Sequence, residues 1–477
     1  TIENACDRYP HRQRTASPEA SFRSLPLAKS PQTMMKFIRS RRVLPPIAFS
    51  LLPLFWTTLA KAESPTAFAI RDAHVVTVSG PELPKATVLI RDGLIEDVGP
   101  NLTIPADAWV INGSGLTVYP GFIDGLSTWG IPERSPATPP AGTPGTPPSR
   151  SHGPEDRPQN VSFTRAADLV QPTDKRIEMA RAAGFTTAVT FPETGIFGGQ
   201  GAVVDLAGER GADMVVASPV AQYVAIRTGR YFDGFPNSLM GVLAYVRQLY
   251  LDLAWHQKAM TIYSGHVNGL KRPPYDHYLE GLAESPRLLL PASQSQQIDR
   301  MIAFGNELKQ PYVLYGLQEG FARIDELRKA NIPVMVSLKW PVRPPGADPV
   351  NVPDYRTLVM RDQAPSVPGL LAKAGVRFGF FSDGLATAGD LRQALKKSLD
   401  AGLKREDAIR ALTLNTAEIY GVSDRLGSVD RGKIANLVVT KGDAFDDKTP
   451  IEYVFVDGQE FQPRTEPGTA PSKGGVQ

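Results

Sequence analysis

The sequence predicts an α/β fold: a (β/α)8 TIM barrel that carries a small composite β-sandwich domain built from N- and C-terminal segments. Two patterns predict it. Strand-like runs with alternating apolar residues lie near both ends of the chain, and helix–glycine–strand units repeat between them. The chain has 477 residues, of which 42% are hydrophobic and 21% charged, an ordinary globular composition. This length suits one large domain and one smaller domain.

The smaller domain is predicted from β-rich segments at opposite ends of the chain. Each segment alternates apolar and polar residues, with glycine or aspartate at the turns. The runs are AFAIRDAHVVTV, ATVLIRDGLIEDVG and AWVINGSGLTVYPGFID near the start, then GSVDRGKIANLVVTKG and PIEYVFVDGQEF near the end. Because chain termini are often adjacent in space, we expect residues 63–118 and 422–465 to form one domain.

The barrel is predicted over residues 119–421, about 300 residues in which helices and strands alternate. Clear units are RIEMARAAGFTTAVTF, SQQIDRMIAFGNELKQPYVLYG, GFARIDELRKANIPVMVSL and VPGLLAKAGVRFGFFSDG. Such repeats predict right-handed βαβ crossovers and a parallel sheet. Residues 131–160 are rich in proline and are expected to form a mobile loop at the barrel mouth, and residues 466–477 a disordered tail.

The N-terminal region predicts export. Residues 1–33 are interpreted as an upstream or disordered segment, and residues 34–62 as a signal peptide with cleavage after Ala62. This segment has the basic start MKFIRSRR, a 17-residue apolar run and the ending AKA. The alternative is an uncleaved membrane anchor, but the apolar run is short for a span of ~20 residues and contains three prolines. We therefore expect a periplasmic or secreted protein without a stable membrane span after cleavage.

Charge and cysteine content exclude several classes of function. Residues 63–477 contain 42 basic and 46 acidic side chains, so no basic surface for nucleic acid is expected. The single cysteine, Cys6, precedes the expected cleavage site. The mature chain would therefore have neither disulfides nor thiolate metal ligands.

Four motifs carry a resemblance to a known family. They are LTVYPGFID, GFTTAVTFPETGIFGGQGAVV, FFSDG and ALTLNTAEIYGVSDRLGSVDRGKIANLVV. With the predicted domain order, these motifs resemble the amidohydrolase superfamily, and more closely its imidazolonepropionase-like branch, over about residues 66–460. The resemblance implies one or two divalent metal ions, zinc for example, at the barrel mouth. It also implies hydrolysis of C–N bonds in non-peptide or cyclic amides.

The positions that hold metal in the family are substituted in this sequence. The two histidines after the first barrel strand correspond to Leu126 and Thr128, and those ending the fifth and sixth strands to Pro291 and Tyr315. The aspartate of the eighth strand is present as Asp383. A catalytic zinc ion usually needs three protein ligands, and leucine and proline cannot coordinate it. We therefore expect no metal cofactor and the loss of the ancestral metal-dependent mechanism.

Two residues remain as candidates for catalysis, and one as a candidate for binding. Asp383 could act as an acid or base, or it could hold backbone in a former site. His266 lies between glycines in YSGHVNG, whereas no other histidine shows metal-ligand spacing with it. Tyr315 could contact a bound ligand. Asp124 is interpreted as a residue that holds loop backbone at the end of the first strand. The run GIFGGQG resembles a phosphate-binding loop but is interpreted as a tight turn.

Two functions stay open, so the sequence does not decide whether the chain is an enzyme. One is hydrolysis of a C–N bond in a small molecule. The other is a catalytically inactive pseudo-amidohydrolase that binds a small molecule or assembles with a second copy or an active relative. Packing of Leu126, Pro291 and Tyr315 into the mouth would favour the inactive protein. An open polar cavity beside Asp383, reached by His266, would favour the enzyme.

Overall fold

A computed structural model describes residues 67–132, 154–228, 235–266, 268–344, 346, 348, 350, 352–385, 387–446 and 449–462. All of these residues belong to one unit, Glu63–Gln477. The predicted upstream segment and signal peptide lie outside the described residues, as do residues 133–153 of the proline-rich stretch and the predicted C-terminal tail.

Strands are distributed along the whole described chain. They are β1 (Ala67–Val75), β2 (Leu83–Arg91), β3 (Leu94–Gly99), β4 (Trp109–Asn112), β5 (Thr117–Pro120), β6 (Phe122–Ser127), β7 (Phe185–Thr190), β8 (Phe197–Gln200), β9 (Ala202–Asp205), β10 (Val215–Ala217), β11 (Gln222–Val224), β12 (Leu288–Ala292), β13 (Tyr312–Gly316), β14 (Val334–Ser337), β15 (Phe378–Phe381), β16 (Leu437–Thr440), β17 (Ile451–Val456) and β18 (Gln459–Phe461).

Helices occur mainly between the later strands. They are α1 (Lys175–Ala182), α2 (Leu239–Gly265), α3 (His277–Glu284), α4 (Ser295–Leu308), α5 (Ile324–Ala330), α6 (Tyr355–Gln363), α7 (Val367–Ala374), α8 (Ala388–Asp400), α9 (Arg405–Leu412) and α10 (Leu414–Tyr420). Within the described residues, no helix is long and apolar enough to cross a membrane.

Strands from both ends of the described chain share one eight-stranded sheet. Its order is β18-β17-β16-β5-β1-β2-β3, with β4 paired to β1. The two ends meet where β16 pairs antiparallel with β5. Phe68 of β1 and Phe455 of β17 pack edge to face in its core, with ring centroids 5.4 Å apart. Strands from both ends thus lie in one sheet, and the composite domain with its sandwich arrangement stays a prediction.

The middle of the chain forms two further sheets of mixed pairing, which combine parallel and antiparallel neighbours. One has the order β10-β9-β7-β6 and the other β15-β14-β13-β12-β11-β8. The pairs β6–β7 and β11–β12 through β14–β15 are parallel. Strands such as β6 and β7 are buried along their whole length, as expected for a parallel sheet covered on both faces. The α/β class is therefore confirmed, and closure of the two sheets into a barrel stays a prediction.

Left-handed residues terminate the helices of three helix–strand units. The sequence predicts a glycine at each stop, and this is confirmed for α7 but not for α4 and α5. Gly375 has φ 71° after α7, and Lys309 and Asn331 have φ 55° and 50° after α4 and α5. A left-handed residue stops helical hydrogen bonding and redirects the chain towards the next strand.

Gly121 lies where the chain passes from the eight-stranded sheet into the parallel sheet. Its N–H donates to the carbonyl of Asn436 at 2.7 Å. A Cβ at this position would lie 2.0 Å from the Thr186 hydroxyl oxygen. Only glycine allows this close approach, which explains the glycine of the PGFID motif physically.

The glycine-rich run GIFGGQG is a strand rather than a tight turn, so that interpretation was wrong. Residues Phe197–Gln200 form β8, which pairs antiparallel with β11. Gly201 then carries the chain to β9 in the other sheet. A Cβ on Gly201 would lie 2.1 Å from the Phe191 ring, so the crossing is closely packed.

Candidate functional site

A cavity of about 590 Å³ opens at the carboxyl ends of the parallel strands. Its walls include Ser127 at the end of β6, Tyr315 on β13, Ser337 at the end of β14 and Ser382 after β15. In α/β proteins, ligands bind at this end of the strands because the loops there can vary without disturbing the sheet. The cavity is therefore the candidate functional site.

Asp383 lies in the turn after β15 and lines the cavity. Its backbone is left-handed, with φ 50°, and Gly384 after it has φ 81°. Its Oδ2 accepts a hydrogen bond of 2.9 Å from the Ser337 hydroxyl. The neighbouring strand β14 thus holds this exposed carboxylate at the cavity wall.

Asp124 lies beneath the cavity and joins β6 to the end of β15. It is fully buried, and its carboxylate accepts hydrogen bonds from the N–H and the hydroxyl of Ser382 and from the N–H of Leu126. Burial raises the pKa of Asp124 to about 7, although the bonds from Ser382 act in the opposite direction. The interpretation of Asp124 as a residue that holds backbone is confirmed.

The structure brings together most of the predicted former metal positions. Leu126, Thr128 and Tyr315 line the cavity together with Asp383. Pro291 lies beside Tyr315 in register on the neighbouring strand but does not line the cavity. Four of the five predicted positions therefore surround one site, and their side chains do not fill it.

Tyr315 and Thr128 are engaged in interactions that a metal ligand could not keep. The Tyr315 hydroxyl donates to the carbonyl of Val224 at 3.2 Å, and its ring stacks on Tyr223 at 5.7 Å. Burial raises the pKa of Tyr315 well above its ordinary value, which keeps the phenol neutral. The Thr128 hydroxyl accepts a bond of 3.0 Å from Arg176. Neither side chain offers the charged or basic donor that zinc requires.

The donor set at the cavity does not fit a catalytic zinc ion. Leu126 has no donor atom, and Asp383 is the one anionic residue at the predicted metal positions. Across the described part of the chain, no group of three His, Cys, Asp or Glu side chains is close enough to hold a metal ion. The residues present therefore disagree with the metal site that the resemblance implies.

His266 lies away from this site. It follows the last residue of α2, where its N–H donates to the carbonyl of Tyr263 at 3.0 Å. Its side chain is exposed, and it is not part of the cavity wall. The structure thus does not bring His266 together with Asp383.

Sequence reasoning missed three charged residues of the cavity: Arg176, Glu193 and Arg227. Glu193 follows the end of β7 by three residues, and Arg227 follows the end of β11 by three. Charged residues directly after buried strands, in VTFPE and YVAIR, were the available signal. Arg176 lies in α1, and nothing in its local sequence distinguishes it.

The charged groups differ in how firmly they are held. Arg176 is fixed by the Asp174 carboxylate and by the carbonyls of Thr128 and Ile131. Arg227 donates a long bond of 3.4 Å to the Tyr223 hydroxyl. Burial raises the pKa of Glu193, the positive charge of Arg227 lowers it, and the negative charge of Asp383 raises it further. The cavity therefore presents both signs of charge.

Comparisons with known proteins find a family match and solved structures with a similar fold. Residues 292–461 match the model of the Amidohydrolase family. An amidohydrolase from Thermotoga maritima shares the fold with a TM-score of 0.66 at 24% identity, over 83% of this chain and 100% of that one. A putative prolidase from Bifidobacterium longum shares it with a TM-score of 0.50 at 16% identity, over 84% and 96%.

Curated relatives match over a short segment. An adenine deaminase from Moorella thermoacetica is 35% identical over 75 residues, and adenine deaminase 3 from Rhizobium meliloti is 39% identical over 77 residues. Each match covers 16% of this chain and only 12% of the relative.

The structure is an α/β fold with a cavity at the carboxyl ends of its parallel strands, the place where proteins of this class commonly bind small molecules. The match of residues 292–461 to the Amidohydrolase family and the fold shared with a solved amidohydrolase agree with the superfamily resemblance. The branch within the superfamily stays a prediction.

Proposed function

We propose that this chain binds a small polar molecule in the cavity and has lost the metal-dependent hydrolysis of its superfamily. One observation carries the proposal: Leu126, Thr128 and Tyr315 occupy the wall where metal ligands are expected, while the cavity beside Asp383 stays open. Open space with polar walls suits a ligand. The donor atoms needed for zinc are replaced.

Hydrolysis requires an activated water molecule as the attacking group. Water has a pKa near 15.7, and a bound metal ion lowers it to ≈ 7. Asp383 and Glu193 offer carboxylates but no Lewis acid, so they cannot produce hydroxide as a metal ion does. The same groups can still bind a ligand through charge and hydrogen bonds.

A second candidate function is hydrolysis of a C–N bond in a non-peptide or cyclic amide. It is favoured by the placement of Glu193 and Asp383 in one cavity, where burial raises the pKa of Glu193. Two carboxyl groups in one cavity can act as the acid and the base of a hydrolysis. The names of the curated relatives make adenine a useful compound to test alongside cyclic amides.

We further propose the architecture and location that the sequence predicts. The two sheets in the middle of the chain would be arcs of one (β/α)8 barrel, and the eight-stranded sheet would be part of a composite sandwich. Residues 34–62 would direct export to the periplasm or the exterior, which also agrees with the lack of thiols after Ala62. A second copy or an active relative stays the proposed protein partner.

The deciding experiment measures metal content and turnover in the same preparation. The purified protein from Glu63 onwards is analysed for zinc by mass spectrometry and assayed on cyclic amides, dipeptides and adenine. We expect substoichiometric zinc and no chelator-sensitive turnover. Stoichiometric zinc with turnover that a chelator abolishes would refute the loss of the metal mechanism. Turnover without metal would instead support the second candidate.

A further inference from the structure

Glu193 is a half-buried carboxylate in the cavity wall. No hydrogen bond or ion pair to it is found among the described residues. Partial removal of a carboxylate from water is unfavourable unless a partner compensates for it. A ligand that brings a positive charge would relieve this cost.

Asp383 is a second carboxylate of the cavity without a cationic partner. Its single hydrogen bond comes from the neutral Ser337 hydroxyl, and no cationic side chain pairs with it in the part of the chain that the structure describes. Its negative charge also acts on Glu193 across the cavity. Two carboxylates that share a cavity favour a cationic group between them.

Arg227 provides the opposite charge in the same cavity. It forms no ion pair with any described carboxylate, although its charge acts on Glu193. Arg176, by contrast, is already held by Asp174. Opposite charges that share a cavity without contacting each other leave space for a ligand carrying both. The stacked rings of Tyr223 and Tyr315 supply an apolar wall for the ligand's carbon chain.

We propose that the ligand of this cavity is a small zwitterion whose ammonium group lies at Glu193 and Asp383 and whose carboxylate lies at Arg227. This inference rests on the proposed function, because it names the ligand class of the same site. Charge-assisted hydrogen bonds at both ends would select the zwitterion over molecules with one charge.

The test is isothermal titration of the metal-analysed protein with ω-amino acids from glycine to 6-aminohexanoate. Each amino acid is compared with the amine and the carboxylic acid of the same chain length. We expect at least one amino acid to bind ten-fold or more tightly than both of its singly charged analogues. If no amino acid binds, or if the three compounds of every length bind equally, the proposal is refuted.

Two isosteric variants assign the ends of the ligand. Glu193→Gln should weaken the amino acid and the amine at least ten-fold and leave the acid unchanged. Arg227→Gln should weaken the amino acid and the acid but not the amine. The exposed residues Glu209 and Arg431 provide matched controls, Glu209→Gln and Arg431→Gln, which should change nothing. If the control variants also lose the preference for the amino acid over its singly charged analogues, the assignment of the two ligand ends to Glu193 and Arg227 is refuted.

The outcomes separate this inference from the proposed function. Zinc content and chelator-sensitive turnover decide the metal-free function and do not depend on which probe binds. A metal-free protein that binds an amine or an acid as tightly as the amino acid would keep the function and refute the zwitterion. Circular dichroism of each variant ensures that altered binding does not reflect unfolding.

Discussion

Replacing Asp205 by asparagine should remove much of the pH dependence of stability between pH 5 and pH 8. Asp205 ends β9 and is only 4% exposed. Its Oδ1 accepts hydrogen bonds from the Thr187 hydroxyl at 2.9 Å and from the Asn436 amide at 2.6 Å. This network joins the parallel sheet to the chain entering β16, so it can be tested without touching the cavity.

The size of this pH-dependent change in stability follows from the pKa of Asp205 in the folded state. Burial raises the pKa of Asp205 from 3.8 to about 7, despite the bonds from Thr187 and Asn436. The folded state therefore holds a proton that the unfolded state has lost. This contribution to stability is fully present below pH 3.8 and disappears as the pH rises through about 7. Between pH 5 and pH 8 the loss amounts to roughly 2 to 3 kcal/mol.

The assay is urea denaturation of the wild type and Asp205→Asn at pH 5 and pH 8. An asparagine oxygen can accept the same two hydrogen bonds, so the variant should fold. We expect the wild type to lose roughly 2 to 3 kcal/mol more than the variant over this range. Asp124 titrates in the same direction but is present in both proteins, so its effect cancels. The exposed Asp424→Asn serves as control.

Equal pH dependence in the wild type and Asp205→Asn would refute the reasoning. It would mean that Asp205 is ionised in the folded state at both pH values. A variant that is much less stable at pH 5 would also contradict it, because the amide would then fail to replace the protonated carboxyl.

Three further predictions concern the site and its support. Tyr420→Phe should lower the free energy of unfolding by about 1 to 3 kcal/mol, because the buried hydroxyl donates to the Gly125 carbonyl at 2.6 Å; an unchanged urea midpoint would contradict this. The double variant Leu126→His with Thr128→His should acquire zinc, since with Asp383 it supplies three ligands. If the double variant folds but mass spectrometry detects no zinc in it, these positions do not surround a metal site. Dialysis of the wild type against a chelator should leave its melting temperature unchanged, and a clear decrease would reveal a structural metal.

Local patterns in the sequence were sufficient to predict most of the helices and strands. Alternating apolar residues predicted β1, β2, β16 and β17, and the glycine after the helical run predicted the change from α1 to β7. They succeeded because strand and helix periodicities are properties of neighbouring residues. The glycine-rich run before β9 was misread because its role depends on the Phe191 ring, which contacts Gly201 only in the folded chain.

The site was predicted only in part, for a related reason. The family resemblance placed five positions at the barrel mouth, and the structure places four of them in the cavity wall: Leu126, Thr128, Tyr315 and Asp383. The fifth, Pro291, does not line the cavity. His266 was chosen because it lies in a glycine-rich loop, a local feature that does not reveal its distance from the strand ends.

By itself, the sequence predicted most helices and strands, the resemblance to the amidohydrolase superfamily and the residues at the positions where that family holds metal, because these depend on residue types and their spacing. Only the tertiary structure decided that the cavity stays open, that Arg176 is held by Asp174, and that Glu193 and Arg227 share the cavity with Asp383. These residues come from distant parts of the chain, and only the parallel pairing of the strands brings their carboxyl ends together.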